Sequence, residues 1–206
     1  MASKAAAIKL YTNHRCPWAH RAHITLAELG IPFEEEIIDL DTPRSPEYLK
    51  VNPRGLVPSL SYNGEIITES AVVAQFLADA YPSHLIPATS DPNGPLTRAR
   101  IAFFVDAWFS KVNSFWFKTL FAKTAGEASE NAEGLVNGIT KEIEPLLKDA
   151  GPFFGGSNNL VKDLQEKTPN FHKWSEAVIA SPSVTGIFNE NDNVVRAKER
   201  IAKAKA

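Results

Sequence analysis

The chain has 206 residues, a formal net charge of −2 and a hydrophobic share of 44%. That balance offers no basic surface for nucleic acid or an anionic membrane, and no apolar run reaches the roughly 18 residues a membrane helix requires. The one cysteine, Cys16, can form neither an internal disulfide nor a thiolate metal site, so a reducing, cytoplasmic setting with no metal is expected.

The opening MASKAAAIKL lacks the long apolar core of a secretory signal. AAIKLY (6–11) reads as a short strand, and TNHR leads from it to Cys16 and Pro17. From Pro17 the pattern is helical, with Trp18, Ala22, Leu26 and Leu29 near one face, until Gly30 and Pro32 stop it. FEEEIIDL (33–40) is the next strand, and a short helix is expected over Pro46 to Lys50. Residues 56–62 and 65–68 are extended around Asn63-Gly64, a hairpin-turn dipeptide. A helix follows over about 69–80, with Val72, Val73, Phe76 and Leu77 on its apolar face.

Pro82, Pro87, Pro92 and Pro95 then mark a linker. Beyond it only helical periods occur: Ile101, Phe104, Val105, Trp108 and Val112; Leu135, Ile139, Ile143 and Leu146; Phe171, Trp174 and Val178. The expected domains are 1–82, a Pro-rich linker at 83–95 and an all-helical part at 96–206. The order βαβαββα followed by helices suits one right-handed βαβ unit plus a hairpin on a single sheet. With a lone thiol at the first strand-to-helix junction, this order predicts an α/β thioredoxin-like N-terminal domain followed by an all-α C-terminal domain.

Proline is favoured at the first helical position, which places Cys16 at about the N-cap. First-turn N–H groups and the helix dipole stabilise a thiolate there more than a thiol. A buried structural cysteine is the ordinary alternative. With no resolving thiol in the chain, a mixed disulfide at Cys16 must be released by an outside thiol, and glutathione is the abundant small one. In NPRGLVPSL (52–60), Val57-Pro58 stands where such sheets place a cis proline, beside the expected position of Cys16; a plain strand-start proline is the alternative. In TESAVVAQFL (68–77), Ser70 can cap the helix or bind a carboxylate, and Glu69 can accept from an ammonium group.

RCPWAHRAHITLAELGIP, NPRGLVPSL, ITESAVVAQFLADAYP and TPNFHKWSEAVIASPSV together resemble the cytosolic glutathione transferases, and the first is most similar to the cysteine-type, omega-like class. The resemblance implies that Cys16 forms a mixed disulfide with glutathione, that Val57, next to Pro58, pairs with the tripeptide backbone, and that Glu69 and Ser70 hold its γ-glutamyl end. Arg44 lies near where the family often has a cation facing the glycyl carboxylate, and is the implied glutathione-binding residue there. Glutathione is the implied co-substrate, with a small hydrophobic or disulfide second substrate in a pocket between the domains that includes Trp18, Trp108, Phe109 and Trp116. Deglutathionylation, dehydroascorbate-type reduction and a homodimer are implied as well. Conjugation through an upstream hydroxyl, Tyr11 or Thr12, and a non-enzymatic glutathione-binding scaffold are the competing readings. The chain is shorter than the family pattern by about one helix near 156–167.

Overall fold

A computed structural model describes residues 6–148, 167–187 and 189–205. Strand β1 (Ile8–Thr12) alternates buried and half-buried positions, so Ile8, Leu10 and Thr12 point to one face while Lys9 and Tyr11 point to the other. Helix α1 (Pro17–Leu29) follows, then β2 (Glu34–Ile37), α2 (Pro46–Val51), β3 (Ser59–Tyr62), β4 (Glu65–Thr68) and α3 (Ser70–Ala80). The four strands form one sheet in the order β2-β1-β3-β4. β1 runs parallel to β2 and antiparallel to β3, and β3 pairs antiparallel with β4. This is the expected thioredoxin-like arrangement.

Local chemistry explains where the elements end. Gly30 adopts φ +61° at the end of α1, where its N–H bonds the Ala27 carbonyl and that of Ile31 bonds Leu26. Asn63 and Gly64 both have positive φ, as a two-residue hairpin requires. β2 is shorter than expected, 34–37 rather than 33–40. The Asp39 carboxylate accepts from the Asp41 N–H and the Thr42 hydroxyl, and so turns the chain off the sheet.

Leu10, Ala22, Leu26, Leu60, Val73 and Leu77 form the core where α1 and α3 cover the sheet. A second cluster of Ala19, Ile38, Tyr48 and Val57 draws in Tyr11 and Cys16. Val72, expected on the buried face of α3, is 53% exposed. Val73 and Leu77 take that face, and a four-residue step places Val72 well to its side.

The chain divides into two units, Met1–Ala88 with Gly186–Asn189, and Thr89–Thr185 with Glu190–Ala206. All regular structure described in the second unit is helical: α4 (Gly94–Ala107), α5 (Asn113–Leu120), α6 (Ala125–Gly138), α7 (Pro169–Ile179), α8 (Pro182–Thr185) and α9 (Glu190–Lys205). The continuous helical periods expected at 101–112 and 135–146 are interrupted. Wide π turns occupy Trp108–Val112 and Ile139–Ile143, and a 3₁₀ turn follows at Glu144–Leu147. The buried residues Leu135, Ile139, Ile143 and Leu147 are each four apart. An α-helix would rotate that series off the core, whereas a π turn keeps it facing inwards. Leu147 is therefore buried, and the expected Leu146 is 39% exposed. The two π turns approach closely because Gly138 lacks a Cβ, which would lie 3.3 Å from the Lys111 carbonyl oxygen. The Glu144 carboxylate accepts from the Asn170 and Phe171 N–H groups at 2.9 Å and so caps α7 from a distant part of the chain. The expected shortening near 156–167 lies almost wholly outside the described residues.

Candidate functional site

Cys16 is the N-cap of α1, with extended backbone angles and Pro17 as the first helical residue. Its side chain is a free, half-buried thiol. Asn13 fixes the loop before it: its Nδ2 donates to the Ile38 carbonyl at 2.9 Å, and its Oδ1 accepts from the Arg15 N–H at 3.0 Å. Its carbonyl accepts from the Cys16 N–H at 2.9 Å.

The Val57–Pro58 peptide bond is cis, and the Val57 carbonyl oxygen lies 3.9 Å from Cys16 Sγ. The loop around Val57 is held by buried polar groups that the sequence pattern did not point to. Asn52 Nδ2 donates to the Leu56 carbonyl at 2.9 Å and to Ser59 Oγ at 3.1 Å. The Tyr48 hydroxyl bonds the same carbonyl and the same serine. These bonds leave the Val57 peptide in one place relative to the thiol.

Glu69 and Ser70 stand at the start of α3, with the cap one residue earlier than the helix-capping reading of Ser70 has it. Glu69 is the N-cap, at φ +70°, a conformation a non-glycine residue adopts at a cost of order 1–3 kcal/mol. Ser70 is the first helical residue rather than the cap. Its hydroxyl accepts from Arg21 Nη1 at 3.1 Å. Arg21 comes from α1, and its guanidinium also lies 5.8 Å from the Trp18 ring centre. A bond accepted from arginine leaves the serine proton free to be donated. Glu69 Oε1 pairs with Arg54 at 2.6 Å, with both side chains more than half exposed. Such a pair is worth roughly 0–1 kcal/mol, so a ligand ammonium group can compete for the carboxylate.

Arg44 is tied to the protein rather than extended into a pocket. Its Nε donates to the Gly55 carbonyl at 2.9 Å, and Nη1 donates to the carbonyls of Asp39 and Thr42. Gly55 has φ +63°, and a Cβ there would meet Arg44 Cγ at 2.9 Å, so glycine is required beneath this side chain. Of the two upstream hydroxyl residues, Thr12 has its hydroxyl committed and Tyr11 packs by its ring. Thr12 is fully buried and bonds His23 Nε2 at 2.8 Å, while Tyr11 packs on Tyr48 at 5.7 Å.

The aromatic residues expected around a second substrate separate by role. Trp108 packs on the helical core, stacked on Phe171 at 6.0 Å. Phe109 is half-buried, whereas Trp116 is 39% exposed on α5. Trp18, on α1 two residues from the thiol, is 38% exposed.

Residues 15–80 match the family model described as the glutathione S-transferase N-terminal domain. Over 204 residues the chain is 26% identical to glutathione S-transferase omega-1 of the pig, Sus scrofa, an alignment spanning 89% of this chain and 81% of that protein. This chain belongs to the cytosolic glutathione transferases, as an omega-like member. It is 33% identical over 145 residues to glutathione S-transferase 3 of soybean, Glycine max, covering 70% of this chain and 63% of that one. The solved structure of glutathione transferase Omega 1C from Trametes versicolor superposes with a TM-score of 0.74 at 26% identity, over 97% of this chain and 98% of that one. Among the described residues, no helix of this transferase is long and apolar enough to cross a membrane.

Below the thiol loop, burial holds the His23 ring at a pKa of about 4, with Glu35 pulling it up and His14 and His20 pushing it further down. The unfolded chain protonates this histidine near pH 6.5, so between about pH 6.5 and 4 the unfolded state binds the extra proton. The stabilisation is complete above that window and falls by about 3 kcal/mol as the pH drops through it. Urea unfolding in chelating buffer at several pH values measures this. The native midpoint is expected to fall faster than that of His23→Gln, and parallel curves would contradict it.

Proposed function

We infer that this chain is a glutathione-dependent thioltransferase whose nucleophile is Cys16. The observation that carries the reading is the single thiol at the N-cap of α1, half-buried beside the Val57 peptide. The attacking form in disulfide exchange is the thiolate. The thiolate attacks the glutathionyl sulfur of a mixed disulfide R–S–SG. The R–S bond breaks, RS⁻ leaves and takes a proton, and Cys16–S–SG forms. A second glutathione thiolate then attacks that bond, giving glutathione disulfide and regenerating the Cys16 thiolate. The net reaction, RSSG plus GSH to RSH plus GSSG, balances without a second protein thiol. In a dehydroascorbate-type reduction two molecules of reduced glutathione are oxidised to glutathione disulfide by way of the Cys16 mixed disulfide, supplying the two electrons and two protons.

The tripeptide lies along Val57 in the manner of an added strand, with its cysteinyl N–H and C=O facing that backbone. Its γ-glutamyl carboxylate takes the Ser70 hydroxyl and the N-terminus of α3, and its ammonium takes Glu69. Trp18 offers apolar surface to the second substrate. The protein acts as a homodimer through residues 62–80, where Ile66 and Val72 are exposed at 40% and 53%.

On this reading Arg21 is a positioning residue that orients the Ser70 hydroxyl. Arg21→Met is expected to raise KM for glutathione about tenfold, the loss of one charge-assisted hydrogen bond, with kcat little changed. Arg21→Lys should recover part of the loss. Steady-state kinetics over a glutathione series checks this, and a fall in kcat at constant KM would contradict it. The function itself is tested by measuring thiol transfer from a glutathionylated peptide alongside conjugation to a chlorodinitrobenzene. Transfer well above the uncatalysed exchange is expected. Conjugation without transfer would sink the reading.

A further inference from the structure

We propose that His14, His23 and Glu35 form a binding site for a divalent transition metal of the zinc or cobalt kind. Three elements bring these residues together. His14 lies on the loop before Cys16, His23 on α1, and Glu35 on β2. Glu35 is registered with Leu10, so it projects to the same sheet face as Leu10 and Thr12, the face covered by α1. One ligand atom from each of the three side chains lies within 4.8 Å of the other two. Two imidazoles and one carboxylate are a donor set that suits zinc and related ions, and a fourth position remains for water.

The site has one fixed ligand and two adjustable ones. His23 is 4% exposed, its ring held by the Thr12 hydroxyl at 2.8 Å. Such a contact on one ring nitrogen is the outer-shell support that metal-bound imidazoles commonly have on the nitrogen that does not ligate. The His14 and Glu35 side chains are 45% and 29% exposed and hydrogen-bond each other. The His14 ring stands edge-on to the His23 ring, with centroids 5.3 Å apart. Donors sharing one tetrahedral zinc lie about 3.4 Å apart, so closing the site needs only side-chain rotation of the two accessible residues. A bare histidine–carboxylate pair would explain His14 and Glu35, but not the buried imidazole brought within reach of both. No local pattern points to this cluster, because its members are separated by 9 and 12 positions and lie on different elements.

The test uses tag-free, chelator-treated protein titrated with Co²⁺, followed by visible absorption and equilibrium dialysis. Native protein and Cys16→Ala are each expected to bind one equivalent, with d–d bands and no sulfur charge-transfer band in either. His14→Ala and Glu35→Gln are expected to bind at least roughly tenfold more weakly. Both substitutions are at partly exposed side chains, so the result does not depend on disturbing buried His23. No uptake by the native chain, unchanged uptake by the two variants, or uptake lost in Cys16→Ala would each overturn the proposal.

Discussion

Cys16→Ala is expected to lower thiol transfer by about a thousandfold or more, equivalent to roughly 4 kcal/mol of transition-state stabilisation. The size follows from the chemistry. The thiolate is the atom that forms and breaks the mixed disulfide, and no second cysteine can substitute for it. The half-buried thiol makes a loose 3.9 Å contact with the Val57 carbonyl and packs at the edge of the second cluster, so replacing it by the similarly small alanine should cost the fold little. Residual transfer should match glutathione alone. A separate measurement on the same variant distinguishes the competing readings. Conjugation that survives or rises places another hydroxyl at the glutathione thiol, although Thr12 is bound to His23 and Tyr11 to the packing around Tyr48. Transfer within a few-fold of native would remove Cys16 from the mechanism.

Leu60→Ala is expected to have the largest effect on stability. Leu60 is fully buried, sits opposite Leu10 on β1 and Ile67 on β4, and packs against Val73 and Leu77 of α3. Truncating such a side chain costs the lost transfer energy plus the cavity left behind, about 2–5 kcal/mol. That is a large share of a typical domain stability of roughly 5–15 kcal/mol. Leu56, four residues earlier and 56% exposed, provides the control. Leu56→Ala should stay within about 0.5 kcal/mol of native. Urea unfolding followed by intrinsic fluorescence measures both. A Leu60→Ala midpoint equal to that of Leu56→Ala would mean that the sheet core is not where the packing places it.

The first domain was legible because its punctuation is local. Gly30 with Pro32, Asn63 with Gly64 and Pro17 after Cys16 each act within a turn of their own position, and each ends or begins an element as expected. The thiol and Val57 were legible for the same reason, through residue type at a strand end. The missed features depend on partners distant in sequence. Nothing near Ser70 announces that Arg21 will bond its hydroxyl from α1. The bonds that hold Arg44 go to the carbonyls of Asp39, Thr42 and Gly55, backbone groups that carry no sequence signal. In the helical domain an unbroken α-helical period points to Leu146, whereas Leu147 is the buried leucine because the segment widens into a π turn. The four-residue spacing of Leu135, Ile139 and Ile143 was the available clue.

The most direct test of the central claim is intact mass after exposure to glutathione disulfide at neutral pH, for the native chain and Cys16→Ala. The account predicts one glutathione adduct on the native protein, formed quickly, reversed by added glutathione and absent from the variant. A native chain that takes up no glutathione, or a variant that takes it up equally, would contradict it.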